Sequence, residues 1–218
     1  MPLPPQPSGT STAANRAYLS LAEDIVAGRL QPGSLITEGE RAEALGMSRT
    51  PIREAFLRLA SEGLLRLYPK KGAVVTAEDD AAARHLLEAR VMLEAESVRA
   101  AGKDERTTTW RTLEGFLAEQ ADAQASGDAL AFARADHAFH AAVASASLNP
   151  LVDAFYSQLR PRLARLTHAV VRSGRSDVAR FLAQHRELAE LFARGDAAGY
   201  ASLLRSHVGL DGPGASGS

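Results

Sequence analysis

The amino-acid sequence predicts a mainly α protein: an N-terminal winged helix-turn-helix followed by an all-α antiparallel helical bundle. Three observations carry that prediction. Residues 37–76 read as helix, turn, helix and basic hairpin, with capping and turn residues at the junctions. From about residue 79 to 209 apolar residues recur at helical spacing, and the breaks fall at Gly102, Gly127, Asn149-Pro150, Gly174 and Gly195. The 218 residues, 45% of them apolar, are enough for one large or two modest domains with a real core.

The expected organisation is a disordered lead-in at 1–13, a winged helix at 14–76, a helical domain at 77–210 and a disordered tail at 211–218. Met1 to Ala13 holds Pro, Ser and Thr but almost nothing to bury. Arg16 to Gly28 carries Tyr18, Leu21, Ala22, Ile25 and Val26 at helical period and stops at a glycine. This first helix is expected to pack behind the next two. Gln31-Pro32-Gly33 makes a turn, and Leu35-Ile36 a short extended piece.

Thr37 is placed to cap a second helix, with Glu40 as its capping-box partner and Gly46 at its end. After the turn Gly46-Met47-Ser48, Ser48 can cap a third helix whose Pro51 lies in the first turn, where a missing N–H costs nothing. That helix should run to about Gly63. At about 100° per residue, Arg49 and Arg53 lie about 40° apart, beside an arc filled by Ile52, Ala55, Phe56 and Leu59. One side packs, and the N-terminal end presents cations. Leu64 to Tyr68 then reads as a strand, Pro69-Lys70-Lys71-Gly72 as a basic turn, and Ala73 to Thr76 as the returning strand. Between Arg49 and Lys71 stand six Lys or Arg and two Glu, an excess that double-stranded DNA would attract.

Net charge is −1, so any affinity for nucleic acid must come from such a local patch. With no Cys there is no disulfide framework, thiolate metal site or cysteine nucleophile. No apolar run reaches the roughly 18 residues of a membrane span, and no basic-then-apolar leader opens the chain, so a cytoplasmic protein without a membrane partner is expected.

Helices are expected at about 79–101, 105–126, 128–146, 150–173, 177–194 and 196–209, with Asp128, Asp177 and Asp196 as caps. The third of these carries Asp136-His137-Ala138-Phe139-His140. Asp136 and His140 are i and i+4, on one helix face and close enough to hold one cation. His185 and His207 sit on the last two helices, and a bundle can bring both to the same interior point. One carboxylate and three imidazoles suit a divalent ion such as Zn²⁺, Ni²⁺ or Mn²⁺, with positions left for a ligand. On spacing alone an Asp-x-x-x-His pair is more often a surface hydrogen bond or ion pair, and histidines on helices more often cap or pack, than a metal site. His85, His137 and His168 have no evident role, and His137 lies about 100° from the Asp136 side.

Two groups of residues resemble a known family. Ser48-Arg49-Thr50-Pro51-Ile52-Arg53-Glu54-Ala55, with Gly28 to Gly33 before it and Glu62-Gly63-Leu64-Leu65 after it, resembles the DNA-binding domain of the GntR family of bacterial transcription regulators. The resemblance implies that Ser48, Arg49, Thr50 and Arg53 touch bases or phosphates and that the wing tip at Lys71 and Gly72 enters the minor groove. An arginine can bond bidentately to guanine while small hydroxyls take phosphates; which of the two arginines reads a base is open. Arg41, where the family usually has Leu, and Gly39, where it often has a polar residue, depart from the pattern.

Glu88-Ala89-Arg90 with Leu93-Glu94, Asp136-x-x-x-His140, Asn149-Pro150, Gln184-His185 and Ser206-His207 resemble the FCD domain, the effector-binding domain of one large GntR branch. The resemblance implies a metal held by Asp136, His140, His185 and His207, with Arg90 projecting into the same cavity to pair with a small carboxylate effector. For Arg90 an ion pair with Glu94 on its own helix stays open. The expected function is a homodimeric, ligand-responsive DNA-binding regulator, more commonly a repressor in this family. A metal-dependent hydrolase and a plain dimerisation module are the alternatives.

Overall fold

The structure is a computed structural model that describes residues 12–174 and 178–211. Its described residues fall into two compact units, one up to Ala77 and one from Glu78.

The first unit contains α1 (Ala13–Val26), β1 (Leu35–Ile36), α2 (Glu38–Leu45), α3 (Arg49–Ser61), β2 (Leu65–Tyr68) and β3 (Gly72–Val75). α1 starts earlier than the expected Arg16, because Thr12 Oγ1 accepts the Asn15 N–H at 3.1 Å and caps the helix there. Thr12 and Ala13 therefore belong to an ordered helix start, while residues 1–11 of the expected lead-in lie outside the described residues. In α2 the capping box closes as expected: the Glu40 N–H donates to Thr37 Oγ1 at 3.2 Å, and the Thr37 N–H donates to the Glu40 carboxylate at 3.1 Å. Gly46 ends α2 in the left-handed conformation, φ 61°. Ser48 stands at the α3 N-cap but makes no side-chain capping bond.

Ile52, Ala55, Phe56 and Leu59 of α3 are buried against Ala17, Leu21 and Ile25 of α1 and against Leu64, Ala73 and Val75. Each such large apolar side chain stabilises the unit by about 1.5–3 kcal/mol. The three strands pair antiparallel in the order β1-β3-β2, with Leu35 opposite Val74 and Leu65 opposite Val75. The short piece at Leu35-Ile36 is thus a third strand of the wing. β1 passes so close to Gly72, φ 112°, that a Cβ there would lie 2.3 Å from the Ile36 carbonyl oxygen.

The second unit holds α4 (Asp80–Ala100), α5 (Lys103–Ser126), α6 (Ala129–Ser145), α7 (Pro150–Arg172), α8 (Val178–Arg194) and α9 (Ala197–His207). These are the six expected helices, and no seventh appears among the described residues of 145–150 and 172–177. Asp79, Asp128 and Asp196 cap the helices that follow them, while Asp177 lies outside the described residues. Leu113, Phe139, Val143, Leu188, Phe192, Tyr200 and Leu204 form the larger apolar core. No helix of the described residues is long and apolar enough to cross a membrane.

Glu78, the first residue of this unit, is clasped by α7: it accepts from Arg162 Nε at 2.6 Å, Arg162 Nη2 at 2.8 Å and Arg165 Nη2 at 3.1 Å. The Arg162 hydrogen bonds outweigh burial and hold the Glu78 carboxyl below its ordinary 4.5. A carboxyl lowered in this way stabilises the fold above its unfolded pKa and loses that contribution as pH falls through the folded value. Glu78→Gln should therefore lower stability by about 1–2 kcal/mol at neutral pH. In denaturant titrations repeated down to acid pH, the gap between parent and variant should narrow below the unfolded value of 4.5.

Candidate functional site

In the first unit the N-terminal end of α3 and the wing flank a cleft of about 730 Å³ lined by Thr37, Gly39, Arg49, Arg53, Lys70, Lys71 and Gly72 among others. Arg49, Arg53 and Lys71 are exposed on its lining and Gly72 is half-buried there, while Ser48 and Thr50 are exposed at the start of α3 and do not line it. Gly72 opens β3 rather than the wing tip, and the close approach of β1 accounts for the glycine. The tip proper is Pro69-Lys70-Lys71, so Lys70, exposed and with φ 62°, joins the set.

The charge count of the segment overstates what faces the cleft. The Arg58 guanidinium stacks 3.5 Å over the Tyr18 ring and donates to buried Glu62 at 3.1 Å, so its role is to tie α3 to α1. Gly39 has a local explanation: a Cβ there would touch Arg49 Nη2 at 3.4 Å, so the bare backbone leaves room for that guanidinium to lie against α2. Arg41 is half-buried with its Nε shielded and without a hydrogen-bond partner.

In the second unit Asp136, His140, His185 and His207 converge, all buried, with one ligand atom from each lying within 4.8 Å of the others. Asp136 and His140 come from the same face of α6, His185 from α8 and His207 from the last turn of α9. His185 Nε2 lies 3.2 Å from Asp136 Oδ1 and 3.1 Å from His140 Nε2.

Each imidazole is oriented from its far side. His140 Nδ1 donates to Glu94 at 2.8 Å, His185 Nδ1 to Gln120 Oε1 at 2.5 Å and His207 Nδ1 to Gln184 Oε1 at 3.0 Å. With the proton on Nδ1, every Nε2 presents a lone pair. Three lone pairs and an anionic carboxylate then crowd one point and repel unless a cation lies among them. A donor set of three imidazoles and one carboxylate fits a borderline divalent metal ion.

The ionisation states agree with that use. Burial would raise the Asp136 carboxyl, but the close approach of the His185 ring and the Arg90 charge hold it well below its usual range. Burial and Arg90 push His140 down to about 4, and burial with the neighbouring His185 and His140 rings pushes His207 well below its ordinary value. The carboxylate is charged and these two rings neutral at pH 7, the forms that ligate metals.

Arg90 makes the ion pair with Glu94 and also reaches toward the four donors. Its Nε donates to Glu94 Oε1 at 3.0 Å within α4, and its Nη2 reaches to 4.0 Å from Asp136 Oδ2 while making no hydrogen bond. His137 is buried outside the four donors, its ring 6.2 Å from that of Tyr156, and burial pushes its pKa down to about 3. His85 is exposed and His168 buried on α7.

The site also holds residues that sequence reading passed over. Glu94 faces the histidines: it accepts from His140, Arg90, Tyr156 OH at 2.8 Å and Tyr200 OH at 2.6 Å. Thr167 donates to Asp136 Oδ2 at 3.2 Å, and Gln120 supports His185. The i,i+4 pairing of Arg90 with Glu94 was the one readable signal. Tyr156 and Tyr200 stand 62 and 106 residues away and gave none.

Comparison with known proteins decides the family. Residues 85–210 match the FCD domain, and residues 13–75 match the bacterial regulatory proteins of the gntR family. The chain belongs to the FCD branch of the GntR family. As such it is a DNA-binding transcriptional regulator. An HTH-type transcriptional regulator of Streptomyces ambofaciens, from an unstable DNA locus, is 29% identical over 88% of this chain and 80% of its own length. The "Probable D-xylose utilization operon transcriptional repressor" of Paenarthrobacter nicotinovorans is 34% identical over 64% of this chain and 61% of its own. Among solved structures, E. coli McbR/YncC superposes with a TM-score of 0.77 at 23% identity, covering 93% of this regulator and 96% of that chain. At that identity the likeness establishes the fold.

For the DNA-facing half of this GntR regulator, Arg53→Ala should weaken duplex binding and reduce the slope of log affinity against log salt by about one if Arg53 contacts a phosphate. A base contact would instead cost about 1–3 kcal/mol at one operator position. Fluorescence anisotropy across a salt series separates the two outcomes.

Proposed function

We propose that this regulator is a cytoplasmic homodimeric repressor whose operator binding is set by a small carboxylate at a metal centre formed by Asp136, His140, His185 and His207. The observation that carries the reading is the convergence of three back-oriented imidazoles and a carboxylate beside the partnerless Nη2 of Arg90. A Zn²⁺, Ni²⁺ or Mn²⁺ ion held there supplies positive charge and open coordination positions. Arg90 supplies a second cation to pair with a carboxylate. Relatives that carry repressor names, the Paenarthrobacter protein and the gluconate operon repressor of Bacillus subtilis, support repression as the sense of regulation.

In the DNA-binding half, Ser48 and Thr50 take phosphates, Arg49 and Arg53 address the major groove, and Lys70, Lys71 and the backbone at Gly72 follow the adjacent minor groove. Two such units in a dimer would meet the half-sites of a palindromic operator. Arg90 and Glu94 both lie on α4, which starts a few residues after β3 ends at Val75. An acid engaging Arg90 thus acts on the helix that leads directly from the DNA-binding unit. It favours one of two arrangements of the dimer and changes operator affinity to the same extent that DNA changes acid affinity.

Elemental analysis of untagged protein should return about one divalent ion per chain, and little in His140→Ala. Thermal melting should fall on chelation and rise saturably with one class of acid in the metal-loaded parent, by RT ln(1 + [L]/Kd), and not in Arg90→Ala. Negligible metal in both proteins would reduce the second unit to a dimerisation module. Unchanged operator affinity in Arg49→Ala with Arg53→Ala would refute the DNA-binding assignment of α3.

A further inference from the structure

We propose that Glu94 is the positioning residue of the metal centre: its carboxylate turns His140 so that Nε2 faces the other donors, and it holds Arg90 off Asp136. The inference rests on the metal reading above and concerns a residue outside the four donors.

Glu94 is fully buried, and both of its oxygens are used. Oε1 accepts from Arg90 Nε at 3.0 Å and Tyr156 OH at 2.8 Å; Oε2 accepts from Tyr200 OH at 2.6 Å and His140 Nδ1 at 2.8 Å. Four donors leave it little capacity to act as a base or as a ligand. Two consequences reach the metal donors instead.

The first concerns the tautomer. An ionised carboxylate only accepts hydrogen bonds, so His140 must carry its proton on Nδ1 and turn a lone pair on Nε2 toward His185 and Asp136. A side-chain amide in place of the carboxylate can offer oxygen or NH₂, and removes that compulsion.

The second concerns charge. Arg90 sits between two anions, with Nε 3.0 Å from Glu94 and Nη2 4.0 Å from Asp136. With Glu94 neutral, Asp136 becomes the remaining anion for a buried guanidinium. A full Arg90–Asp136 pair would occupy the oxygens that the metal needs and would engage the Nη2 that now makes no hydrogen bond.

The test measures Zn²⁺ affinity of the full chain against a chromophoric chelator, the Co²⁺ absorption spectrum, and melting of the metal-free protein. E94Q should bind Zn²⁺ about ten- to hundred-fold more weakly, with an altered Co²⁺ spectrum. Adding R90Q should recover part of that loss, because no cation then competes for Asp136. A packing role alone predicts something different: E94Q melts lower when metal-free but keeps the parental Zn²⁺ affinity and Co²⁺ spectrum, and that result overturns the proposal. A double variant as weak as E94Q overturns the part assigned to Arg90. Should E94Q fail to fold, E94D replaces it, keeping the charge while withdrawing it from His140; a tenfold loss supports the proposal and parental affinity refutes it. A parent that binds neither ion overturns this inference together with the metal reading, whereas a parent that binds and an E94Q that binds equally well overturn this inference alone.

Discussion

Ionised side chains inside a helix bundle are tolerated only where each is answered by another group, and that requirement shapes the second unit. Transferring an unpaired carboxylate from water to such an interior costs several kcal/mol even after relaxation. Here Glu94 and Asp136 are both buried and both charged, with Arg90 between them. Burial would raise the Glu94 carboxyl, but His140 and Arg90 overcome it and hold the pKa at about 2. The pattern extends outward: Gln120 and Gln184 steady His185 and His207, and Thr167 steadies Asp136. Every helix of the unit contributes at least one of these groups, so the polar interior and the helix packing specify each other.

The first unit solves a simpler problem. Its interior is apolar, built on Phe56, Ile52 and Leu59 against α1, and its chemistry stays on the surface. Glu62 is its buried charge, and Tyr18 and Arg58 answer it locally. The cationic rim of the cleft is left at the N-terminal end of α3 and along the wing, where it remains exposed. A buried apolar core beneath exposed long cations is an arrangement that would suit a phosphate backbone.

What was legible in the sequence was what is local. Thr37 and Glu40, Gly46, and the Asp caps at Asp128 and Asp196 declare helix ends because each acts within three residues of itself. The word around Ser48 to Ala55 was readable for the same reason. Asp136 and His140 were readable as a pair because α6 fixes their spacing, whereas His185 and His207 could be placed only on the last two helices of a bundle, and the family resemblance added their role before the fold brought them side by side. Glu94 was seen only as the partner of Arg90, since its bonds to His140, Tyr156 and Tyr200 are made across the bundle. Leu35-Ile36 was read as a short extended piece but not as the wing's third strand, because two residues carry no period, and the close approach of β1 gives Gly72 a structural reason that the sequence did not show. Counting charges included Arg58, whose real partner is a ring from another helix.

This chain contains no cysteine, yet one point in it joins α4, α6, α7 and α9. The Glu94 carboxylate does there what a disulfide does elsewhere, with four attachments in place of two. Such a non-covalent cross-link has no redox potential and cannot be cut by a thiol reductant. It can also part and re-form without breaking a covalent bond, which a disulfide cannot. The four helices are thereby pinned at one buried point that a single substitution, Glu94→Gln, would loosen.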